Sequence, residues 1–300
     1  MIRLMHAVLA RLLGGQEPPT QALDMIERGT QGRQNALAFL TIVTALLTPV
    51  VAIAQTGVKF PAAVLPGITA PAALYATIIK PDGLGPFPAV IVLHDCGGIS
   101  RKDQDWAKRL VSWGYVAVLP DSFGSRGLGS LCTDVEKVGA QQRVQDVIGA
   151  AEYLATLPYV QKSKIAVLGF SHGGWTIMKG VQENAFWSSY GIKGAVAYYP
   201  YCTAPQDNNV AIPLRILIGE KDDWTTAQRC RDVISGAKKP SLIQATYYPD
   251  TYHSFDCNCA TRWVNGTGGG KTTSRRIEGN SSATRDAEAQ TKVFLQQLLH

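Results

Sequence analysis

The stretch KIAVLGFSHGGWTIMKG, residues 164–180, decides the fold. Its first half is a short, continuously apolar run, the pattern of a strand covered on both faces. Its second half has helical spacing. Between them stands Gly169-Phe170-Ser171-His172-Gly173, a G-x-S-x-G pattern at a strand-to-helix turn. Such a turn is sharp and strained, so small residues must flank the serine for the backbones to pass. The serine hydroxyl then projects from the C-terminal edge of a sheet. The pattern alone is common; its setting after a strand and before a helix gives it meaning.

Working outward, short β-rich runs alternate with helical patterns. LYATIIK (74–80), AVIVLH (89–94), YVAVLP (115–120), GAVAYYP (194–200), LRILIGE (214–220) and LIQATYY (242–248) read as strands. DWAKRLVSWG (105–114), VQDVIGAAEYLATL (144–157) and AEAQTKVFLQQLL (287–299) read as helices. This alternation predicts one α/β domain over 55–300, with a mostly parallel central sheet and helices on both faces. The Gly/Ser/Thr-rich stretch 265–283 reads as a long surface loop.

A serine hydroxyl is a poor nucleophile unless a base takes its proton, so the motif calls for a histidine and an acid that orients it. On an α/β-hydrolase sheet they follow in the order Ser, Asp/Glu, His, each after a later strand. Lys221-Asp222-Asp223-Trp224 follows LRILIGE, and His253 lies in the segment PDTYHSF after LIQATYY. The predicted triad is Ser171, Asp222 and His253. Asp223 competes for the acid role and reads otherwise as a solvent-facing carboxylate or helix N-cap.

With these residues in place the chain resembles the dienelactone hydrolase family of α/β-hydrolases over roughly residues 70–300. The matching words are AVIVLHDCGG (89–98), GYVAVLPDSFGSRG (114–127), KIAVLGFSHGG (164–174), ILIGEKDDWT (216–225) and YHSFD (252–256). The resemblance implies the α/β-hydrolase fold, a small ester or lactone substrate and no cofactor or metal. Two departures stand out: Ser171 occupies a position where the best-known members carry Cys, and Asp95 falls near where they place a Glu. A serine-esterase mechanism therefore transfers better than a cysteine-specific one.

An acyl transfer also needs two backbone donors where the oxyanion forms. His172, after the nucleophile, and Cys96, in the loop after AVIVLH, are the candidates. Cys96 as nucleophile is the competing reading and would need a free thiolate. Arg126 falls near where the resembling enzymes keep an arginine that binds a substrate carboxylate; its other reading is a solvated loop arginine. Trp175 and Trp224, close in sequence to triad members, are candidates to line an acyl pocket or to pack in the core.

Nineteen uncharged residues, Ala36–Ala54, follow Arg28 and Arg33 and end in Ala-Ile-Ala before Gln55. That is the pattern of a secretory signal peptide cleaved at 54/55, with a membrane anchor as the alternative. A start at Met25 would give a leader of ordinary length, leaving residues 1–54 as extension and leader. The expected location is therefore periplasmic or secreted, with no membrane attachment after cleavage.

Six cysteines, at 96, 132, 202, 230, 257 and 259, suit an oxidising compartment. The fold neighbours Cys96 with Cys132 and Cys202 with Cys230, leaving Cys257 and Cys259 paired together or reduced. His253, Cys257 and Cys259 form an H-x3-C-x-C pattern that lacks structural-zinc spacing. Hydrophobic residues make up 46% and charged residues 17% of 300, which excludes a disordered chain. The net charge of +6 contains no run of five Lys/Arg, so no nucleic-acid partner is expected.

The predicted protein is an exported serine hydrolase of a small ester or lactone, a monomer or small homo-oligomer. Its rivals are a peptidase, acyltransferase or polyester hydrolase on the same fold, or an exported binding protein on a hydrolase scaffold.

Overall fold

The computed structural model describes residues 55–64, 67, 71 and 73–300. The expected leader and cleavage motif, and Met25, lie outside the described residues. Eight strands form one sheet in the order β1-β2-β4-β3-β5-β6-β7-β8. They are β1 (Gln55–Phe60), β2 (Leu74–Ile79), β3 (Phe87–Leu93), β4 (Val116–Pro120), β5 (Val160–Phe170), β6 (Ile192–Tyr198), β7 (Leu214–Gly219) and β8 (Ile243–Tyr248). β1 and β2, and β2 and β4, pair antiparallel; from β4 across to β8 every pairing is parallel. Every residue of β4 is buried, as is every one from Ile165 to Phe170 in β5. Helices on both faces of a parallel sheet leave no wet side, so these strands carry no polar alternation.

The helices are α1 (Arg101–Ser112), α2 (Ala140–Thr156), α3 (His172–Gly180), α4 (Ala227–Ser235) and α5 (Ser281–Leu299). The Ser100 amide and hydroxyl both donate to Asp103 Oδ2, at 2.8 and 2.6 Å, fixing the start of α1. Asn280 caps α5 by accepting from the Ala283 amide at 3.1 Å. Its side-chain nitrogen also donates to Thr251 Oγ1 at 2.8 Å, tying α5 to the loop that carries His253.

The stretch expected as a loop is instead mostly a β-hairpin, β9 (Arg262–Gly268) and β10 (Lys271–Ile277), closed by Gly269 and Gly270. Both turn residues have positive φ, +60° and +78°. A two-residue turn of this kind needs the left-handed region twice, which glycine supplies without a steric penalty. The low hydrophobicity of the strands hid the hairpin, because it rests on the rim of the active-site face rather than in the core.

Candidate active site

β5 ends at Phe170 and α3 begins at His172, so Ser171 alone makes the turn, with φ +50° and ψ −106°. That strained conformation is accommodated by glycines at the crossing. A Cβ on Gly169 would lie 2.6 Å from the Gly173 carbonyl, and one on Gly173 would collide with the Leu93 carbonyl. The turn aims Ser171 Oγ at His253 Nε2, 2.9 Å away. On the other side of the ring, His253 Nδ1 lies 2.7 Å from Asp222 Oδ2. With the carboxylate accepting, Nδ1 carries the hydrogen and Nε2 is free to accept from the serine. All three residues are buried.

Asp222 is held as tightly as the ring it orients. Its Oδ1 accepts from the Trp224 and Thr225 amides at 2.9 and 2.8 Å. The Thr225 hydroxyl sits 2.9 Å from Oδ2, 2.9 Å from the Tyr199 carbonyl and 3.2 Å from His253 Nδ1. Asp223 points elsewhere: both its carboxylate oxygens accept from the Arg276 amide of the hairpin. The geometry therefore brings Asp222, and not Asp223, to His253.

His172 serves the turn with its side chain as well as its backbone. Its Nε2 lies 3.0 Å from the Val135 carbonyl, and its Nδ1 lies 2.9 Å from Nη1 of the buried Arg143. Nε2 must then carry the hydrogen and Nδ1 must accept. Burial, reinforced by the Arg143 charge, pushes the His172 pKa down to about 3. Arg143 also donates to the His94 carbonyl at 3.0 Å and to Ser122 Oγ at 3.3 Å. Sequence reading missed Arg143, although it stands in α2 one step from Val144 and four from Val147, a charge inside an apolar stripe.

A second cation, partly buried, lies near the site. Lys102 Nζ donates to Tyr199 Oη at 2.9 Å and lies 3.4 Å from Asp95 Oδ2 and 3.9 Å from Asp256. Burial opposes its charge, but Asp256 and Asp95 outweigh burial and raise its pKa. Tyr199 Oη in turn donates to Asp256 at 2.6 Å, and its ring packs edge-on against His253 with centroids 4.7 Å apart. Asp95, noted for its place in the sequence, thus faces Lys102 and the Gly97 amide rather than Ser171. These partners come from distant segments, so no local pattern announces them.

Beside Ser171 lies a cleft of about 110 Å³ whose walls include Cys96, His172, Trp175, Tyr201 and Trp224. Both tryptophans singled out from sequence are on it. The tip of the hairpin, Gly268–Gly270, closes one side. Trp224 lies against the hairpin, where its Nε1 donates to the Thr267 carbonyl at 3.0 Å, and against His253 at 4.9 Å between centroids. The amides of Cys96 and His172 donate to no acceptor among the described residues.

Arg126 is placed differently from either sequence expectation. It makes a forked pair with Asp146 at 2.9 Å through both nitrogens and donates to the Ser122 carbonyl at 2.6 Å. It is neither solvated nor on the cleft. A planar guanidinium beside a fully buried carboxylate is committed there, because releasing it would strand the Asp146 charge.

The cysteines pair as 96–132, 202–230 and 257–259. Cys96 therefore carries no free thiol, and Cys257 and Cys259 are joined to each other beside His253.

An eight-stranded, mainly parallel sheet with a strained serine turn and a Ser171–His253–Asp222 hydrogen-bonded chain defines the α/β-hydrolase class. Within it, the chain belongs to the dienelactone hydrolase family, whose model matches residues 74–299. A Synechocystis protein assigned as a carboxymethylenebutenolidase is 27% identical over 114 residues, 34% of this chain and 46% of that protein. A Yersinia pestis protein with the same assignment is 26% identical over 206 residues, 62% of this chain and 75% of its own. Among solved structures, one from Klebsiella pneumoniae assigned as a dienelactone hydrolase superposes with a TM-score of 0.62 at 18% identity. That match covers 81% of this chain and 99% of the other. A dienelactone hydrolase-like promiscuous phosphotriesterase from metagenomic libraries gives 0.59 at 18% identity, covering 82% and 100%. These structural likenesses concern the fold. The family is one of carboxylic ester hydrolases.

Proposed function

We propose that the protein is an exported serine hydrolase that cleaves a small carboxylic ester or lactone through an acyl-enzyme. One observation carries this reading: His253 bridges Ser171 Oγ at 2.9 Å and Asp222 Oδ2 at 2.7 Å. Ser171 Oγ bonds to the carbonyl carbon while His253 Nε2 takes its proton. The oxyanion is received by the Cys96 and His172 amides. As the carbon–oxygen bond to the leaving alcohol breaks, His253 returns the proton to that oxygen. Water, deprotonated by His253, then attacks the acyl carbon, and His253 passes that proton to Ser171 Oγ as the acyl–oxygen bond breaks. Asp222 keeps the proton on Nδ1 throughout.

Export is supported by the uncharged run that ends in Ala-Ile-Ala and by three disulfides, which persist in oxidising compartments.

The test is labelling with a fluorophosphonate probe followed by peptide mass mapping. A stoichiometric adduct on Ser171, lost in His253→Ala, is expected. An adduct elsewhere, or none on folded protein, rejects the triad and favours a binding protein on a hydrolase scaffold.

A further inference from the structure

The cleft beside Ser171 has flat sides. Trp175 and Tyr201 stand edge to face with centroids 6.1 Å apart, and Trp224 adds another aromatic wall. The hairpin tip contributes backbone without side chains: a Cβ on Gly270 would meet nothing within 4 Å. Any other residue there would project into space that glycine leaves open. The cleft's 110 Å³ approaches the size, roughly 150 Å³, of an apolar cavity that accepts a benzene ring.

His253 must face the leaving oxygen, because it returns the proton there, and its ring stands against two residues of these walls, Trp224 and Thr225. Ser171 and both residues whose amides would hold the oxyanion, Cys96 and His172, line the cleft, so the acyl carbon sits at its edge. Charge does not dominate it: Glu136 stands on one wall, and the Arg229 guanidinium lies 4.8 Å from the Tyr201 ring centre. With Arg229 held over the Tyr201 ring and only Glu136 charged on the walls, recognition is left to the aromatic faces, which favour offset or edge-on contact with another ring.

We infer that the cleft takes a planar, ring-sized acyl group, so that the preferred substrates are esters of aryl carboxylic acids. The inference rests on Ser171 acting as the nucleophile. Its oxygen bonds to the aryl carbonyl carbon, the alcohol leaves with the serine proton, and water releases the aryl carboxylic acid.

The experiment compares kcat/KM for p-nitrophenyl acetate, butyrate, octanoate and benzoate, which share one leaving group. The benzoate value is expected to exceed each of the others at least tenfold, and Trp175→Ala to lower the benzoate-to-acetate ratio at least tenfold. Phenylboronic and n-butylboronic acids, which add to an activated serine, repeat the comparison on the unaltered protein; the phenyl compound should inhibit at a concentration at least tenfold lower. A benzoate value less than tenfold above butyrate's, with Ser171 labelled by fluorophosphonate, overturns the aryl inference alone. Hydrolysis of none of the four, together with no label on Ser171, overturns the serine-hydrolase reading beneath it.

Discussion

Arg143 donates from Nη1 to Nδ1 of His172 at 2.9 Å, linking the middle of α2 to the residue that follows the nucleophile. The guanidinium is fully buried, and its other donors reach the His94 carbonyl, in the segment that leads to Cys96, and Ser122 Oγ. One cation thus fixes the two chain segments whose amides flank the cleft. His172 passes the constraint on to the Val135 carbonyl, so the loop carrying Cys132 is held by the same chain of bonds.

Replacing that cation exposes the dependence. Arg143→Met should lower the unfolding free energy by about 3 kcal/mol, since the His172 nitrogen and the His94 carbonyl lose their buried donors. Arg143→Lys should recover only part of it, because an ammonium cannot reproduce the fork. Urea denaturation midpoints measure both; a Met variant within 1 kcal/mol of the parent would show that the network is not structural.

The same network predicts a pH dependence. His172 falls to a pKa of about 3 in the folded protein, and burial also lowers His94 well below its ordinary value. The unfolded chain, with both near 6.5, binds more protons in the window between about 3 and 6.5. Stability therefore rises with pH through that window and is lost as pH falls, by up to about 1.4 kcal/mol per pH unit for each group. His172→Asn should flatten the slope between pH 6.5 and 5; an unchanged slope would show that His172 titrates normally.

Ser171 and Asp222 were legible because each follows an apolar strand, and His253 because it follows a mixed β-rich run, strand ends being where this sheet gathers its chemistry. The core strands were legible for the related reason that burial on both faces removes polar interruption. Arg126 was misplaced because its neighbourhood in sequence says nothing of Asp146, which lies on another element and takes both its nitrogens. Thr225 escaped notice because a threonine beside an acidic pair has many uses; only the fold puts its hydroxyl between Asp222 and the Tyr199 carbonyl. The hairpin had one signal, Gly269-Gly270 between Thr-rich flanks, but its strands lack the apolar alternation that would have marked them.

The choice between adjacent carboxylates yields a direct test. Asp222→Asn should lower kcat by about 10³- to 10⁴-fold, since an amide favours the wrong His253 tautomer. Asp223→Asn should change kcat by less than about threefold, because its carboxylate holds only the Arg276 amide. Steady-state rates on one activated ester distinguish them, and equal losses would reject Asp222 as the single orienting acid.

The two long-range disulfides should divide by location rather than by strength. Cys96–Cys132 closes a separation of 36 residues and Cys202–Cys230 one of 28, so chain entropy gives each about 4 kcal/mol of stabilisation. Only the first holds an amide placed for the oxyanion, and its loop also touches the hairpin, where the Thr267 amide donates to the Cys132 carbonyl at 2.8 Å. Removing it as Cys96→Ala with Cys132→Ala should therefore lower kcat by about tenfold or more with a smaller change in KM, as expected for a donor that acts in the transition state. The Cys202→Ala, Cys230→Ala pair should lose comparable stability with kcat within about threefold. Both double variants, assayed well below their melting temperatures, separate the two effects. Equal kcat losses in the two would mean that global stability, and not the placement of the Cys96 amide, sets the rate.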